Sequence, residues 1–256
     1  MRIIPVFFII LLLSSCHSRN SGDVLLPALD HYSLYPALFN AESQNEWCLW
    51  KPSKAEKDSS NVSWDGYCHT RLDTVLNYTQ SATTMAVVIF GTYEFDVDGI
   101  ADCHACAPTL SVAVFQQNTK GYWCMIKFIK NFGPHGSWGH QPDYSIATFN
   151  RKFFLTEDWA EMHQGVTESW KTFWHLPSLV ESIEINGFDD SGWFDDAKKV
   201  TNWNDSIKDA SSGNITKVIV KKKGVVYEEG KGQVLIDSSR TYILNDSNIF
   251  RSVKSR

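Results

Sequence analysis

From Thr83 onward the chain is written in short runs of β-branched and aromatic residues, and this restricts it to sheet folds. TTMAVVIFGTYEF (83–95), LSVAVFQQ (110–117) and YWCMIKFIK (122–130) have the composition of strands. The last two flank a short Asn/Thr/Gly linker, the mark of a hairpin. In YWCMIKFIK a period of two puts Tyr122, Cys124, Ile126 and Phe128 on one face, with Cys124 pointing inward as a thiol without a disulfide partner. Further strands are expected at 144–149, 152–156, 168–176 and 179–185. NITKVIVKKKGVVYEEGKG reads as a strand ending in turns, and RTYILNDSNIFRSV as a closing hairpin with Asn245, Asp246 and Ser247 at its tip. No strand alternates with a long helix. The expected fold is mainly β, an antiparallel sandwich or barrel-like domain with a short helical N-terminal region. That region extends to about residue 80. Asp65 has the chemistry of an N-cap for a helix over 66–80, with Cys68, Leu72, Val75, Leu76 and Thr79 on one face. Asp195 to Trp203 reads as a second, short helix.

The compartment decides what the cysteines do. Arg2 precedes an uncharged apolar run, Ile3 to Leu13, which has the length of a secretory h-region and not of a bilayer span. Leu13-Ser14-Ser15-Cys16 follows, and it resembles the lipobox of bacterial lipoproteins. The resemblance covers the first 16 residues and implies removal of residues 1–15 and acylation of Cys16. Each buried acyl methylene adds about 0.8 kcal/mol of anchorage. In that class an aspartate after the cysteine favours the inner membrane; this chain has His17, so the outer membrane is expected, with the protein facing periplasm or cell surface. Residues 16–23 form a polar tether and 24–256 a single domain. Sequons at Asn61, Asn77, Asn204, Asn214 and Asn245 suit a eukaryotic secreted protein instead, and the lipobox outweighs them.

An oxidising milieu favours disulfides. Cys103-His104-Ala105-Cys106 admits several chemistries. A redox pair needs the first cysteine at a helix N-terminus, whereas here Pro108 and a strand follow. A c-type haem anchor needs histidine where Ala107 stands. Zinc would require ligands from elsewhere, such as His135, His140 or His163. A structural bridge remains, either between Cys103 and Cys106 in a tight loop or from one of them to Cys124 across the hairpin; the expected pairs are Cys48–Cys68 and Cys103–Cys106. Asp96, Asp98 and Asp102, with His104 beside them, make an oxygen-rich turn of the kind calcium favours, without the distal glutamate of a complete loop. His135, Trp138, His140 and His163 are the candidate binding residues. No nucleophile elbow, P-loop or dinucleotide fingerprint occurs. Net charge is −5, which argues against a nucleic-acid partner. Lys221, Lys222 and Lys223 read as solvated turn or strand-edge residues. The ten tryptophans belong to a core or to an aromatic-lined cleft.

DCHACAPTLSVAVF and GSWG are similar to segments of bacterial envelope proteins to which no activity is attached. The expected function is a lipid-anchored envelope protein that binds a protein or glycan ligand without catalysis and without a cofactor, an inhibitor or immunity-type protein being its sharpest form. The alternatives are a metal-dependent hydrolase or metal-binding protein using His104, His135, His140 and His163 with zinc or calcium, and a structural envelope lipoprotein.

Overall fold

A computed structural model describes residues 24–54, 66–96, 99–100, 106–136, 139–192 and 199–253. The elements in chain order are β1 (Leu25–Leu26), α1 (His31–Phe39), β2 (Ser43–Gln44), β3 (Trp47–Trp50), β4 (Cys68–Gln80), β5 (Thr83–Tyr93), β6 (Phe95–Asp96), β7 (Gly99–Ile100), β8 (Thr109–Gln117) and β9 (Trp123–Pro134). There follow β10 (Asp143–Phe149), β11 (Lys152–His163), β12 (Val166–His175), β13 (Val180–Asp189), β14 (Asn202–Asp209), β15 (Lys217–Glu228), β16 (Gly232–Leu244) and β17 (Phe250–Val253).

Two antiparallel sheets carry the fold. The first has the order β1-β9-β8-β5-β4-β3-β2; the second runs β10 to β17 in sequence order, and a small β6–β7 ribbon stands apart. The mainly-β, sandwich-like expectation holds, and the second sheet is curled into a half-barrel. Strands β5 and β8 are buried on both faces because each face has a partner. Val88, Phe90, Ala113 and Phe115 pack against α1 through Leu34, Tyr35 and Phe39. Val87, Ile89, Val112 and Val114 pack against Leu155, Leu176 and Leu179 of the second sheet. The third cluster fills the curl: Phe149, Phe154, Phe173, Ile185, Val218 and Phe250. Phe154 and Phe250 stack at 5.8 Å, so the last strand of the sheet returns to its second. Ser182 Oγ donates to Asn248 O at 2.6 Å, and Asn150 N donates to Asp209 Oδ2 at 3.2 Å. These bonds close one end of the curl.

Helix α1 begins where Asp30 accepts from Ser33 N at 2.8 Å and ends at Asn40 in the left-handed region. It is the helical part of the N-terminal region. The helix expected over 66–80 is the strand β4. The cause is a bulge: the ladder to β5 shifts between Leu72 and Thr74, leaving Asp73 as the extra residue. The bulge flips side-chain parity, so Leu72 and Val75 share the α1 face while Leu76 and Tyr78 share the other. Apolar residues three and four apart then imitate a helical period. A second irregularity, between Val114 and Phe115 of the partner strand, does the same in β9. Cys124 is buried as expected, but Met125 is buried too, and Ile126 is exposed. Trp203, expected at a helix end, lies in β14; residues 195–198 of that expected helix lie outside the described residues.

Candidate functional site

The β4 bulge turns Asp73 inward, where its side chain is 1% exposed. Arg71 Nε donates to its Oδ1 at 3.0 Å, and the Tyr93 hydroxyl lies 3.0 and 3.1 Å from its two oxygens. The Arg71 guanidinium stands over the rings of Trp47 and Tyr93, at 5.3 and 5.0 Å. Burial pushes the Asp73 carboxyl up, against the pull of Arg71 and Tyr93. Gly91 makes the room: a Cβ there would lie 2.4 Å from Asp73 Oδ2 and 2.6 Å from the Tyr93 ring. Gly91→Ala is expected to destabilise by about 2 kcal/mol, the cost of overpacking a filled core position. Urea denaturation checks it; a loss under about 0.5 kcal/mol would mean the network yields easily.

A second polar cluster lies between the sheets. Glu157 of β11 is 1% exposed, faces the first sheet, and has both oxygens engaged: Oε1 by His135 Nδ1 at 2.5 Å, Oε2 by Trp174 Nε1 at 3.2 Å. His135 stacks on Phe132 at 5.6 Å and is held by its backbone N–H on Pro108 O. Gly133, at φ +145°, lets the ring approach: a Cβ there would be 2.8 Å from its Nε2. Nearby, the Tyr144 hydroxyl is buried without a hydrogen-bond partner. Burial first, then the charges of Glu157, Asp73 and Tyr93, drive its pKa upward. An acid whose two oxygens are committed, beside a phenol that holds its proton, is an inter-sheet clamp and not a poised acid–base pair.

The structure scatters the residues expected to form a site. His135 belongs to that clamp. His140 lines a cavity of about 200 Å³ with Gln141, Pro142, Asp158 and Trp159. His163 lies at the far end of β11, six residues beyond Glu157, which at strand rise is about 20 Å. His135 and His163 therefore do not converge. Among the described residues no three His, Cys, Asp or Glu side chains are grouped as a cation would need. Cys16, Asp98, Asp102, Cys103, His104 and Trp138 lie outside the described residues. Asp96 is in the β6–β7 ribbon, opposite Gly99.

The expected Cys48–Cys68 bridge is not formed; both stand as buried thiols. The register explains this. Cys48 faces Thr70 and Cys68 faces Trp50, so the two sulfurs occupy diagonal positions, farther apart than directly opposed residues. Burial pushes the Cys48 thiol up to about 12. Cys124 is a buried thiol with Asn118 Nδ2 3.9 Å from its sulfur. Cys106 is disulfide-bonded. Its carbonyl accepts from Gly139 N at 2.8 Å, so the chain at Cys106 runs beside Gly139.

Sequence reasoning missed the concave face of the second sheet. Val218 and Val220 point into the curl, and period two carries Lys222 of β15 onto the same face. On β16 the corresponding residues are Tyr242, Arg240 and Ser238. The tri-lysine is thus in mid-strand, with Lys222 turned into the curl, and is not a turn or strand edge. The face is divided: aromatic and aliphatic at the closed end, polar at the open end. Strands β13 and β14 pair only over Gly187–Asp189 and Asn202–Asn204, then splay. Their separation opens a cleft of about 350 Å³ lined by Ser169, Trp170, Asn186, Asn204, Asp205 and Ser206 among others. A second cleft, of about 240 Å³, lies between Asp205, Lys222, Ser238, Arg240 and Tyr242. Asp205 forms a wall of both, and its Oδ1 is buried without a hydrogen-bond partner. The available signal was a polar residue at an inward strand phase, Val218-x-Val220-x-Lys222. It is weak, because a strand can leave its core at any point.

No protein-family model, curated protein or solved structure matches the chain.

Proposed function

We propose that this chain is a non-catalytic binding protein, held at the outer membrane through acylated Cys16, that receives a hydroxyl-rich ligand, a glycan, on the concave face of its curled sheet. The observation that carries the reading is the unpartnered, buried Oδ1 of Asp205 where two clefts meet. A carboxylate oxygen removed from water without a donor is costly. Ligand hydroxyls would supply the missing donors. Asn186, Asn204, Ser169 and Ser206 add amides and hydroxyls that both donate and accept, which is what a sugar edge requires. The engaged oxygens of Glu157 and Asp73 favour binding over turnover.

The test is titration of the full chain in detergent with a panel of neutral and charged saccharides, followed by tryptophan fluorescence. Saturable binding is expected, and Asp205→Asn should weaken it about tenfold, the equivalent of one charge-assisted hydrogen bond. Binding that is absent across the panel, or identical in Asp205→Asn, would dismiss the reading. Anchorage is tested separately: Cys16→Ser should end incorporation of labelled palmitate.

A further inference from the structure

We infer that the ligand of the concave face bears a negative charge, a carboxylate or a phosphate, and that Arg240 and Lys222 are its seat; the inference rests on the glycan reading above.

The argument is one of unbalanced charge. Several strand cations stand beside a carboxylate. Lys171, on the concave face, lies 2.5 Å from Asp158; Lys223, on the opposite face, lies 3.9 Å from Asp237; Arg71 is bonded to Asp73. In the second cleft two cations without such a contact among the described residues, Lys222 and Arg240, line one concave opening. Asp205, Lys222 and Ser238 stand in one register row across β14, β15 and β16. Adjacent opposite charges in such a row are placed to pair. Yet the Lys222 ammonium is 3.2 Å above the Trp203 ring, and Asp205 Oδ1 is left without a donor. Arg240, one step further along the face, is opposite Val220 and has no carboxylate partner among the described residues. Two cations and the hydroxyls of Ser238 and Tyr242 therefore surround one opening. Guanidinium and ammonium groups in a concave site favour an oxyanion.

The approach is open as well. Strand β17 pairs with β16 only over Thr241–Leu244, so the ladder ends just short of Arg240 and the outer edge of β16 continues without a neighbour among the described residues. Asp205 sets the orientation. Its carboxylate repels an anion toward Arg240 and accepts from hydroxyls on the side of the larger cleft. One acidic sugar, or one charged residue of a longer glycan, would span both clefts in a single direction.

Equilibrium dialysis of the full chain in phosphate-free detergent buffer against glucose, glucuronate, glucose 6-phosphate and inorganic phosphate tests this. At least one charged sugar is expected to bind about tenfold or more tightly than glucose, with an advantage that shrinks as salt rises. The two charged sugars separate a carboxylate seat from a phosphate seat. Arg240→Gln and Lys222→Gln should each remove most of the advantage; Lys223→Gln, on the opposite face, should leave it intact. Equal binding of glucose and both charged sugars would overturn the inference and leave the glycan reading standing. A preference that survives both cleft variants would overturn it too, because the seat would lie elsewhere. Arg240-dependent binding of inorganic phosphate alone would keep the anion seat and refute the glycan reading. No binding of any probe would refute both.

Discussion

Replacing Glu157 by alanine is expected to lower the unfolding free energy by about 4 kcal/mol, the combined cost of donors left without an acceptor and of the void that remains. Glu157 is a small target with many dependents. Its carboxylate accepts from His135 at 2.5 Å and from Trp174 at 3.2 Å, and both donors come from elements that it ties together: the end of β9 on one sheet, β12 on the other. Truncation strands the Trp174 indole N–H between sheets, frees His135 from its loop position, and leaves a void where a 1% exposed side chain stood. Glu157→Gln should cost less, about 1–2 kcal/mol, because an amide oxygen still accepts from one of the two donors. Replacing both partners at once, as Glu157→Leu with His135→Phe, should recover part of the loss, since the void is filled and no imidazole is left without its acceptor, while the Trp174 N–H stays stranded. The comparison is made on urea midpoints at constant m-value. An alanine variant within about 1 kcal/mol of the parent would show that the sheets are held by apolar packing alone.

That clamp illustrates what the sequence could and could not reveal. The sheet class was legible because β5 and β8 are so apolar that only strands with two covered faces use them. The β15–β16 and β16–β17 turns were legible from Gly, Asn and Asp. The error in β4 was also physical. A bulge inserts one residue, reverses the parity of everything beyond it, and leaves a spacing that suits a helix as well as a strand. The bulge exists to aim Asp73, and only the cross-strand partner, with Gly91 opposite, reveals it. Nor could spacing foresee that His135 and His163, both singled out, would be separated by half a strand's length of β11. The concave face failed for a different reason. Its polar end is assembled from β11 to β16, one to four residues from each, and no stretch of chain contains enough of it to stand out. The tri-lysine looked like solvated surface because two of its three members are; the phase of the third becomes visible only once Val218 and Val220 are fixed in the core.

The curl that carries this face should weaken in acid, and His175 is the group responsible. It sits at the end of β12, 8% exposed, with its ring edge-on to Phe154 at 5.6 Å and Nδ1 2.9 Å from Ser178 Oγ. Burial, and secondarily the charge of Lys152, lowers its pKa to about 4 from an ordinary 6.5. Between those two values the unfolded chain binds a proton that the folded chain refuses. The unfolded state is therefore favoured progressively as pH falls from about 6.5 to about 4, and the effect levels off below that. Each unit of such a shift corresponds to about 1.4 kcal/mol, so the full contribution is about 3.5 kcal/mol, of which about 3 is lost by pH 4. The stability is present above the unfolded pKa and lost on acidification, the reverse of a histidine that gains an ion pair on folding. His175→Gln keeps a polar side chain near Ser178 and cannot charge. It should be less stable than the parent at pH 7, yet lose about 3 kcal/mol less on going to pH 4, so that the two denaturation curves converge or cross in acid. Because His175 touches Phe154 and Phe154 touches Phe250, protonation strikes the closed end of the curl, where the second and last strands of the sheet meet. Parallel pH profiles for parent and variant would rule out His175 as the source, whatever the slope they share.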